Sequence, residues 1–492
     1  MSLRLALVHL RKRFVTPVSS APPMSAAAAL LAASMLLAST NALAQGTAAV
    51  PAPTRAEADS IPLPASTGER WSLARCVATA LERNGDVRVA RARTRQASGS
   101  ALSSWSNLLP SVTVGGAQSR FWPQENSTLS GVEVDSGLVT GFLKRSDQKS
   151  LDASVQTNIV SVPGWSEKRR QDRLKRSAEQ GEAETRNTVV FQVKQQYFNL
   201  LKAGRLAEVA RESEHLARDE EARSEALFEV GTVARGDVLK ARARRAQTQL
   251  DRIRAYNQVQ IQAERLKQIV GMPPSTSLSV EPILEEGVVI PDSAASIRSA
   301  LAHRPRLASA EAVEKAARSR VFGSWAVRLP SLTGSYTAER FKRTDLINPL
   351  VPGPEVEGNQ SSTQRQGELR VSVPIFDGLA IEGNVRQAKG ALAEAEANRR
   401  QLEIDVAVEV QQAWLTLREA VERIAVAGEG LTSAEEDYNF SKSRYELGAG
   451  TFLDLLTAEV SLAQARQSHV EALADARVAE ADLERAIGER RY

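Results

Sequence analysis

Leu109-Pro110-Ser111-Val112-Thr113 reappears 220 residues later as Leu329-Pro330-Ser331-Leu332-Thr333. Two shorter matches keep the same offset: Ala80-Leu81 returns as Ala300-Leu301, and Ser104-Trp105 returns as Ser324-Trp325. Because the matches keep both their order and their spacing, the chain contains two copies of one structural unit. The period is too long for a solenoid repeat and indicates the duplication of a large hairpin-like element.

A second pair of motifs follows each strand-like segment at an offset of 217 residues. Phe228-Glu229-Val230-Gly231, followed by Asp237-Val238-Leu239, returns as Tyr445-Glu446-Leu447-Gly448, followed by Asp454-Leu455-Leu456. We therefore divide the mature chain into a first repeat, residues 71–280, and a second repeat of the same plan, residues 281–492.

The beginning of the chain is predicted to be a secretory signal peptide covering residues 1–44. Arg11-Lys12-Arg13 precedes an Ala- and Leu-rich run that ends on Ala42-Leu43-Ala44, a pattern typical of cleavage before Gln45. Residues 45–70 are rich in Ala, Pro and Thr and are predicted to be a flexible extension. No apolar stretch of about 18 residues follows, so the mature chain is either soluble or crosses a membrane as strands.

The composition argues against an enzyme and against nucleic-acid binding. The 63 basic and 59 acidic residues leave a net charge of +4, and they are spread along helical stretches as solvated faces. The single cysteine, Cys76, is expected to be buried, and the four histidines show no metal-ligand spacing. We find no motif for a catalytic nucleophile or a phosphate loop, so no cofactor, metal or nucleic acid is expected.

Strands are predicted near the repeated Leu-Pro-Ser motifs and shortly after them. The first repeat should contain strands at about 109–122 and 151–162, separated by an exposed loop over 123–150. The second should contain strands near 329–341 and 366–376, with a loop that holds Pro349, Pro352 and Gly358. Apolar and polar residues alternate in 151–162 and 366–376, as expected when one face meets lipid and the other meets water.

Long helices account for most of the rest. One helix is predicted over 71–107, and 166–229 and 381–446 lack proline, so each spans roughly 90 Å at ~1.5 Å per residue. The long helices end at the turns Gly231 and Gly448-Ala449-Gly450, and return helices start near Asp237 and Asp454. In the first return helix the following residues form a heptad-like seam, predicted to pair the two helices: Leu239, Ala243, Ala246, Leu250 and Ile253.

The strand count limits how such a chain enters a membrane. A membrane barrel needs at least about eight strands, and open strand edges cannot face lipid because their backbone groups would be unpaired. A chain with four strands must therefore share one barrel with its copies; a dimer would supply eight strands and a trimer twelve.

The paired Leu-Pro-Ser strands, the segment Val373-Pro374-Ile375-Phe376-Asp377-Gly378 and the two tip motifs resemble the TolC-like outer-membrane efflux proteins. The resemblance covers about 71–490. It implies a mainly α fold with a small β part: long antiparallel helical hairpins forming an α-barrel, and four strands per chain in a shared, trimeric twelve-stranded transmembrane β-barrel. It also implies an outer-membrane location with a large periplasmic portion, and docking to a periplasmic adaptor and an inner-membrane transporter of the RND, ABC or MFS type.

The resemblance further suggests a gate at the helical tips. By position, Asp237 corresponds to the acidic member of the family's gate network and Tyr445 to the phenolic member. The usual basic partner would fall at Gly450 and is absent, so Arg235 is the candidate substitute. Of the family's two acidic constriction rings, Asp454 fits the first, whereas Thr457 stands where the second would be.

Simpler interpretations of the same residues stay open. Asp237 and Asp454 stand at helix starts, where an acidic side chain caps free N–H groups in any protein. Tyr445 is a common type of packing residue. The function predicted is a passive exit duct for efflux or type I secretion, and the alternative is a secreted periplasmic coiled-coil scaffold without a pore. The cargo is not specified by the sequence.

Overall fold

The computed structural model describes residues 70–124, 129–134, 137–281 and 287–488. The predicted signal peptide and almost all of the predicted extension 45–70 lie outside these residues. The helices are α1 Leu73–Arg83, α2 Gly85–Ser103, α3 Val162–Glu229, α4 Arg235–Val270, α5 Ser293–His303, α6 Pro305–Ala326, α7 Ala380–Glu446 and α8 Phe452–Ile487. The strands are β1 Arg70–Trp71, β2 Ser111–Phe121, β3 Leu129–Val134, β4 Gly137–Val160, β5 Ser279–Val280, β6 Ser331–Pro349 and β7 Val356–Ser372.

Two long helical hairpins dominate the molecule, as predicted. α3 has 68 residues and α7 has 67, so each is about 100 Å long at ~1.5 Å per residue. The turns after them require left-handed backbone, which glycine adopts without a steric cost: Gly231 has a φ of 79° and Gly448 a φ of 72°. α4 and α8 then return along the helices that precede them.

The single helix predicted over 71–107 is wrong, because the chain turns at Asn84. Its Oδ1 accepts hydrogen bonds from the backbone N of Asp86 and of Val87 at 2.8 and 3.4 Å, and its Nδ2 donates to the carbonyl of Ile269 at 2.8 Å. An asparagine that caps a new helix while bonding a distant carbonyl outweighs local helix propensity. α2 is also shorter than predicted, since Ser104–Asn107 form a 3₁₀ turn.

The corresponding break in the second half falls at Arg304. Pro305 occupies the first turn of α6, where its missing N–H costs nothing. The Arg304 side chain is only 1% exposed and pairs with Glu409 at 2.7 Å and with Glu184 at 3.4 Å. A buried guanidinium with two carboxylate partners thus joins α3, α6 and α7.

The sheet has five strands, not four. Its order is β2-β4-β6-β7, all antiparallel, and the short β3 pairs with the outer part of β4. The predicted loop over 123–150 is therefore wrong: β3 and the first half of β4 lie within it. This part of β4 pairs with β6 in a register that places Leu143 opposite Ile347, and both side chains pack with Val132 in a small apolar cluster.

The last predicted strand also shifts. β7 starts at Val356, so Gly358 belongs to a strand and not to a loop, and β7 ends at Ser372. Pro374 cannot donate to a ladder, which fits the end of pairing before it.

The predicted alternation is confirmed and gives the sheet two unlike faces. One face, called here the apolar face, carries Val112, Val155 and Tyr336 side by side in the register. The opposite polar face carries Thr113 and Ser154, whose hydroxyls hydrogen-bond at 2.7 Å. The outer edges of β2 and β7 have no strand partner within the described chain.

The helices lie side by side in the order α4, α3, α8, α7. Two hydrophobic cores lie at the end of this layer near the short helices. One is built around Cys76, Val193 and Leu266, and the other around Val406, Leu417 and Leu483. Within 70–124, 129–134, 137–281 and 287–488, no helix has the length and apolar character needed to cross a membrane.

The seam predicted between the helices of the first hairpin is wrong. α4 packs on the layer through Val238, Ala241 and Thr248, which are buried. The predicted seam residues Leu239, Ala243, Ala246, Leu250 and Ile253 are exposed instead, and we call them the α4 stripe. Heptad spacing identifies an apolar stripe but does not say which helix will cover it.

Candidate functional site: the tips of the helical hairpins

A cleft of about 910 Å³ separates the α3–α4 turn from the α7–α8 turn. Its walls include two predicted gate residues, Asp237 and Tyr445, and the predicted turn residue Gly450. Gly448 lines it as well, whereas Gly231, Arg235, Asp454 and Thr457 do not. The structure therefore brings the acidic and phenolic candidates to one site.

Asp237 lies in the first turn of α4, and its side chain is 27% exposed. Its carboxylate accepts a hydrogen bond from Nζ of Lys240 at 3.3 Å. The N-cap residue of α4 is Ala234, and no side chain caps this helix. The interpretation of Asp237 as a capping residue is thus wrong, and its carboxylate faces the cleft.

Tyr445 packs its ring against Phe452, with ring centroids 5.8 Å apart. Its hydroxyl is buried and has no hydrogen-bond partner within the described residues. Burial raises the pKa of Tyr445, and the nearby carboxylates of Glu220 and Asp237 raise it further; Ser224 Oγ opposes this, although its geometry falls short of a hydrogen bond. Tyr445 is a packing residue in this conformation, with a polar atom left unsatisfied.

Arg235 begins α4 and is exposed, with no ion pair to any described residue. A basic group does stand beside Gly450, but it comes from Arg444. The Gly450 amide donates to the Arg444 carbonyl at 3.0 Å, and Arg444 Nη2 donates to the carbonyl of Ala449 at 3.0 Å. A Cβ at position 450 would lie 3.1 Å from Cβ of Arg444, so a side chain there would be crowded.

Asp454 forms a capping box at the start of α8, which confirms the capping interpretation for this residue. Thr451 Oγ1 accepts from the Asp454 amide at 3.1 Å, and Asp454 Oδ2 accepts from the Thr451 amide at 3.2 Å. These bonds lower the pKa of Asp454, and the charge of Arg444 lowers it slightly more. Thr457 is exposed and donates to the carbonyl of Leu453 at 2.9 Å.

Two ion pairs that sequence reasoning missed join the hairpins near the tip. Arg223 on α3 contacts Glu446 on α7 at 2.8 Å, and Arg244 on α4 contacts Glu459 on α8 at 3.3 Å. Glu446 lies inside the repeated tip motif, which was the available signal. Its partner is 223 residues away in sequence, so no local pattern identifies it.

A third carboxylate, Glu220, is buried close to Arg223. Its Oε2 has no hydrogen-bond partner within the described residues, and Arg223 approaches to 3.9 Å. Burial raises the pKa of Glu220 and of Glu459. The charge of Glu220 raises the pKa of Glu459 further, while Arg223 opposes the shift of Glu220 and Arg244 opposes that of Glu459. Arg244 and Glu459 are therefore a pair held largely away from water, which is costly to disrupt on one side only, whereas Arg223 and Glu446 are 40% and 45% exposed.

Within the described residues, a sheet with one apolar face and two unpaired edges continues into paired helical hairpins about 100 Å long, whose tips border one cleft. The family model described as "Outer membrane efflux protein" matches residues 76–272 and 296–489. The chain belongs to this outer membrane efflux protein family.

Individual relatives are distant in sequence. The chain is 25% identical to Protein CyaE of Bordetella pertussis over 295 residues, and 22% identical to Outer membrane protein TolC of Escherichia coli over 310 residues. These matches cover 60% and 61% of this chain and the same shares of the relatives, so the chain spans about three fifths of their length.

Solved structures show the same fold. The Campylobacter jejuni CmeC outer membrane channel aligns with a TM-score of 0.68 at 20% identity, covering 85% of each chain. The open state of the Neisseria gonorrhoeae MtrE outer membrane channel aligns with a TM-score of 0.66 at 17% identity, covering 85% of this chain and 88% of that one.

Proposed function

We propose that the protein is an outer-membrane exit duct, a passive conduit of a tripartite efflux or type I secretion system. The observation that carries this proposal is the open sheet: four long strands present an apolar face, and the edges of β2 and β7 have no strand partner among the residues that the structure describes. Such edges cannot face lipid, so the sheet must be completed by other copies of the chain.

A homotrimer would complete both the sheet and the helical layer through one repeated type of contact between copies. Three sheets joined edge to edge, β7 to the next β2, give a barrel of about twelve strands, which is within the range of membrane barrels. The helical layer has its own free sides at α4 and α7. Repeating one head-to-tail contact closes a ring when the rotation permits it.

The exposed α4 stripe supports this closure. Leu239 is 55% exposed, Leu250 50% and Ile253 43%. An apolar row of this length on a helix is normally covered by a partner. In the proposed trimer the α7 helix of the next copy covers it, and the helical hairpins form a tube that continues the strand barrel into the periplasm.

The tube has no energy source of its own, so substrates must be delivered to it. We propose a periplasmic adaptor and an inner-membrane transporter of the RND, ABC or MFS type as partners. The tips of the hairpins are the entrance. Opening requires the α3–α4 and α7–α8 turns to move apart, which breaks Arg223–Glu446 and widens the cleft lined by Asp237 and Tyr445.

Single-channel conductance in planar bilayers tests the gate. Asp237→Ala combined with Tyr445→Phe is expected to raise conductance, and unchanged conductance removes both residues from the gate. Arg223→Gln combined with Glu446→Gln is expected to raise conductance further, because it removes an ion pair that joins the two hairpins in this structure. The matched control is Arg205→Gln with Glu208→Gln, an ion pair of 2.9 Å within α3 that joins no hairpins.

Fractionation and mass separate the duct from a scaffold. The duct is expected in the outer-membrane fraction after salt washing, and as a trimer after detergent extraction. A periplasmic scaffold would be released by salt. A single subunit in detergent would overturn the shared barrel.

A further inference from the structure

Basic side chains interrupt the apolar face of the sheet at the end far from the helices. We call the following residues the basic girdle: Arg120, Lys149, Arg340, Lys342 and Arg365. The register places all of them on the face that carries Val112, Val155 and Tyr336, beyond the apolar band. All are exposed.

Within the girdle, like charges stand directly opposite one another. Lys149 of β4 is the register partner of Lys342 of β6, an arrangement that is unfavourable unless an anion lies between the two. Neither lysine has an ion pair with a described residue, and the same holds for Arg340 and Arg365.

Carboxylates of the same strands do not neutralise the girdle. Asp147, on the same face, is already bonded to Arg120 and lies 3.0 Å from Arg145. Glu339 and Glu368 lie on the polar face, because each is next in sequence to a residue of the apolar face, Arg340 or Leu369, and successive side chains of a strand alternate between faces. Four basic residues of the girdle thus form no ion pair with the described chain, and of these only Lys149 lies within the electrostatic reach of Asp147.

The girdle runs obliquely to the strands. Counted from the helix end of the apolar face, the first basic residue is Arg365 in β7, Arg340 in β6, Lys149 in β4 and Arg120 in β2. From β7 to β6, then β4 and then β2, the first basic residue lies two residues farther from the helices than the register partner of the previous one. The apolar band shifts in the same direction, since it includes Val371 and Leu369 in β7 but Val112 and Val114 in β2.

Strands of membrane barrels tilt by roughly 35–45°. On strands tilted by this amount, a shift of two residues from each strand to the next keeps the basic residues at nearly the same depth in the membrane. The girdle and the edge of the apolar band then lie at one level. Charged side chains on a lipid-facing surface are tolerated near the headgroups and not at the bilayer centre. This level is that of the headgroups of the outer leaflet, because the girdle lies at the end of the strands remote from the periplasmic helices.

We propose that the basic girdle binds the phosphate groups of the phosphorylated glycolipid of the outer leaflet. This inference rests on the proposed duct function. The apolar band below the girdle would contact the acyl chains of the same lipid, which favours a lipid over a free phosphate. In a trimer the girdle repeats three times around the barrel and ties it to the outer leaflet.

Thermal unfolding of the detergent-solubilised full assembly tests the proposal. Lipopolysaccharide is the probe, compared with the same glycolipid stripped of phosphate and with inorganic phosphate alone. We expect lipopolysaccharide to raise the Tm, and the other two probes to have little effect. Since each basic residue at an anionic lipid surface contributes about a fivefold factor in binding, Lys149→Gln with Lys342→Gln should weaken binding roughly 25-fold.

A matched pair of single variants distinguishes a loss of lipid binding from a loss of folding. Arg365→Gln removes an unpartnered charge from the apolar face, while Arg370→Gln, on the same strand, removes one that pairs with Glu368. Only Arg365→Gln should weaken the response. An equal response to the dephosphorylated lipid or to inorganic phosphate, or an unchanged response of the variants, overturns the proposal. Conductance of the variants in neutral lipid separates this from a failure of the duct itself, which would abolish conductance in every variant and in the wild type.

Discussion

Arg244 and Glu459 connect the two hairpins through a largely buried ion pair. Arg244 Nη2 lies 3.3 Å from Oε1 of Glu459, and the Glu459 side chain is only 5% exposed. α4 and α8 belong to different repeats, so this pair fixes the first return helix relative to the second near the proposed entrance.

Arg244→Gln should lower the free energy of unfolding more than Glu459→Gln does. Arg244→Gln leaves a buried carboxylate without its counter-charge and is expected to lower stability by about 3 kcal/mol. Glu459→Gln keeps a similar shape and removes the buried charge, so its effect should be less than half as large. Denaturant unfolding followed by tryptophan fluorescence gives the order; equal effects would show that burial of Glu459 is unimportant.

The raised pKa of Glu459 predicts a dependence on pH. Burial raises the pKa of Glu459 above its ordinary value of 4.5, so the folded state binds the proton more tightly than the unfolded state. At pH values above the folded-state pKa of Glu459, the buried charge lowers the free energy of unfolding by its full amount. This loss disappears as the pH falls toward 4.5. Wild type should therefore gain Tm relative to Glu459→Gln as the pH is lowered over that window, and parallel curves would contradict the assignment.

The two turn glycines should be intolerant of a side chain. Gly231→Ala and Gly448→Ala place a Cβ on left-handed backbone, which costs roughly 1–2 kcal/mol. The control is Gly181→Ala in α3, where nothing lies within 4 Å of the added Cβ. Because that site is regular helix, the control should gain about 1 kcal/mol. Denaturation midpoints of the three variants check the opposite signs.

The exposed carboxylate of Asp454 should influence ion preference. Asp454→Asn is expected to lower the cation preference of the open channel, because one ring of negative charge is lost from the proposed trimer. Thr457→Asp should raise it by supplying a second ring, and Thr457→Asn serves as the uncharged control. Reversal potentials under a salt gradient measure both changes. No shift in either variant would place these residues outside the conduction path.

Cys76 should be chemically inert in the folded protein. The side chain is fully buried, and burial raises the pKa of the thiol to about 11. Since only the thiolate reacts appreciably, maleimide labelling at mildly alkaline pH should be very slow in the native assembly and complete after denaturation. Rapid native labelling would mean that the core around Cys76 opens.

The elements that were predicted well share a strong local pattern. The proline-free stretches that became α3 and α7 are long enough for composition alone to identify them, and Gly231 and Gly448 end them because only glycine suits those turns. The alternation of Val155 with polar neighbours gave the correct faces of β4. At the tip, Asp237 and Tyr445 were predicted from the resemblance to the efflux family, and both line the same cleft in the structure.

The elements that were missed depend on distant partners. The outer half of β4 becomes a strand because it pairs with β6, about 200 residues away, and its own residues show little alternation. Asn84 ends α1 because it reaches the carbonyl of Ile269. Arg223 and Glu446 have no property that links them in sequence, and only the packing of α3 beside the second hairpin brings them together.

The amino-acid sequence by itself determined the duplication, the long helices, the two-faced strands and the positions of the turns, since each of these follows from short-range periodicity or from the backbone freedom of glycine. The tertiary structure alone decided which charges meet across the hairpins, which side of α4 stays uncovered, and which basic residues of four strands share one face of the sheet. These features depend on register and on helix order, and both are set by contacts between residues far apart in the chain.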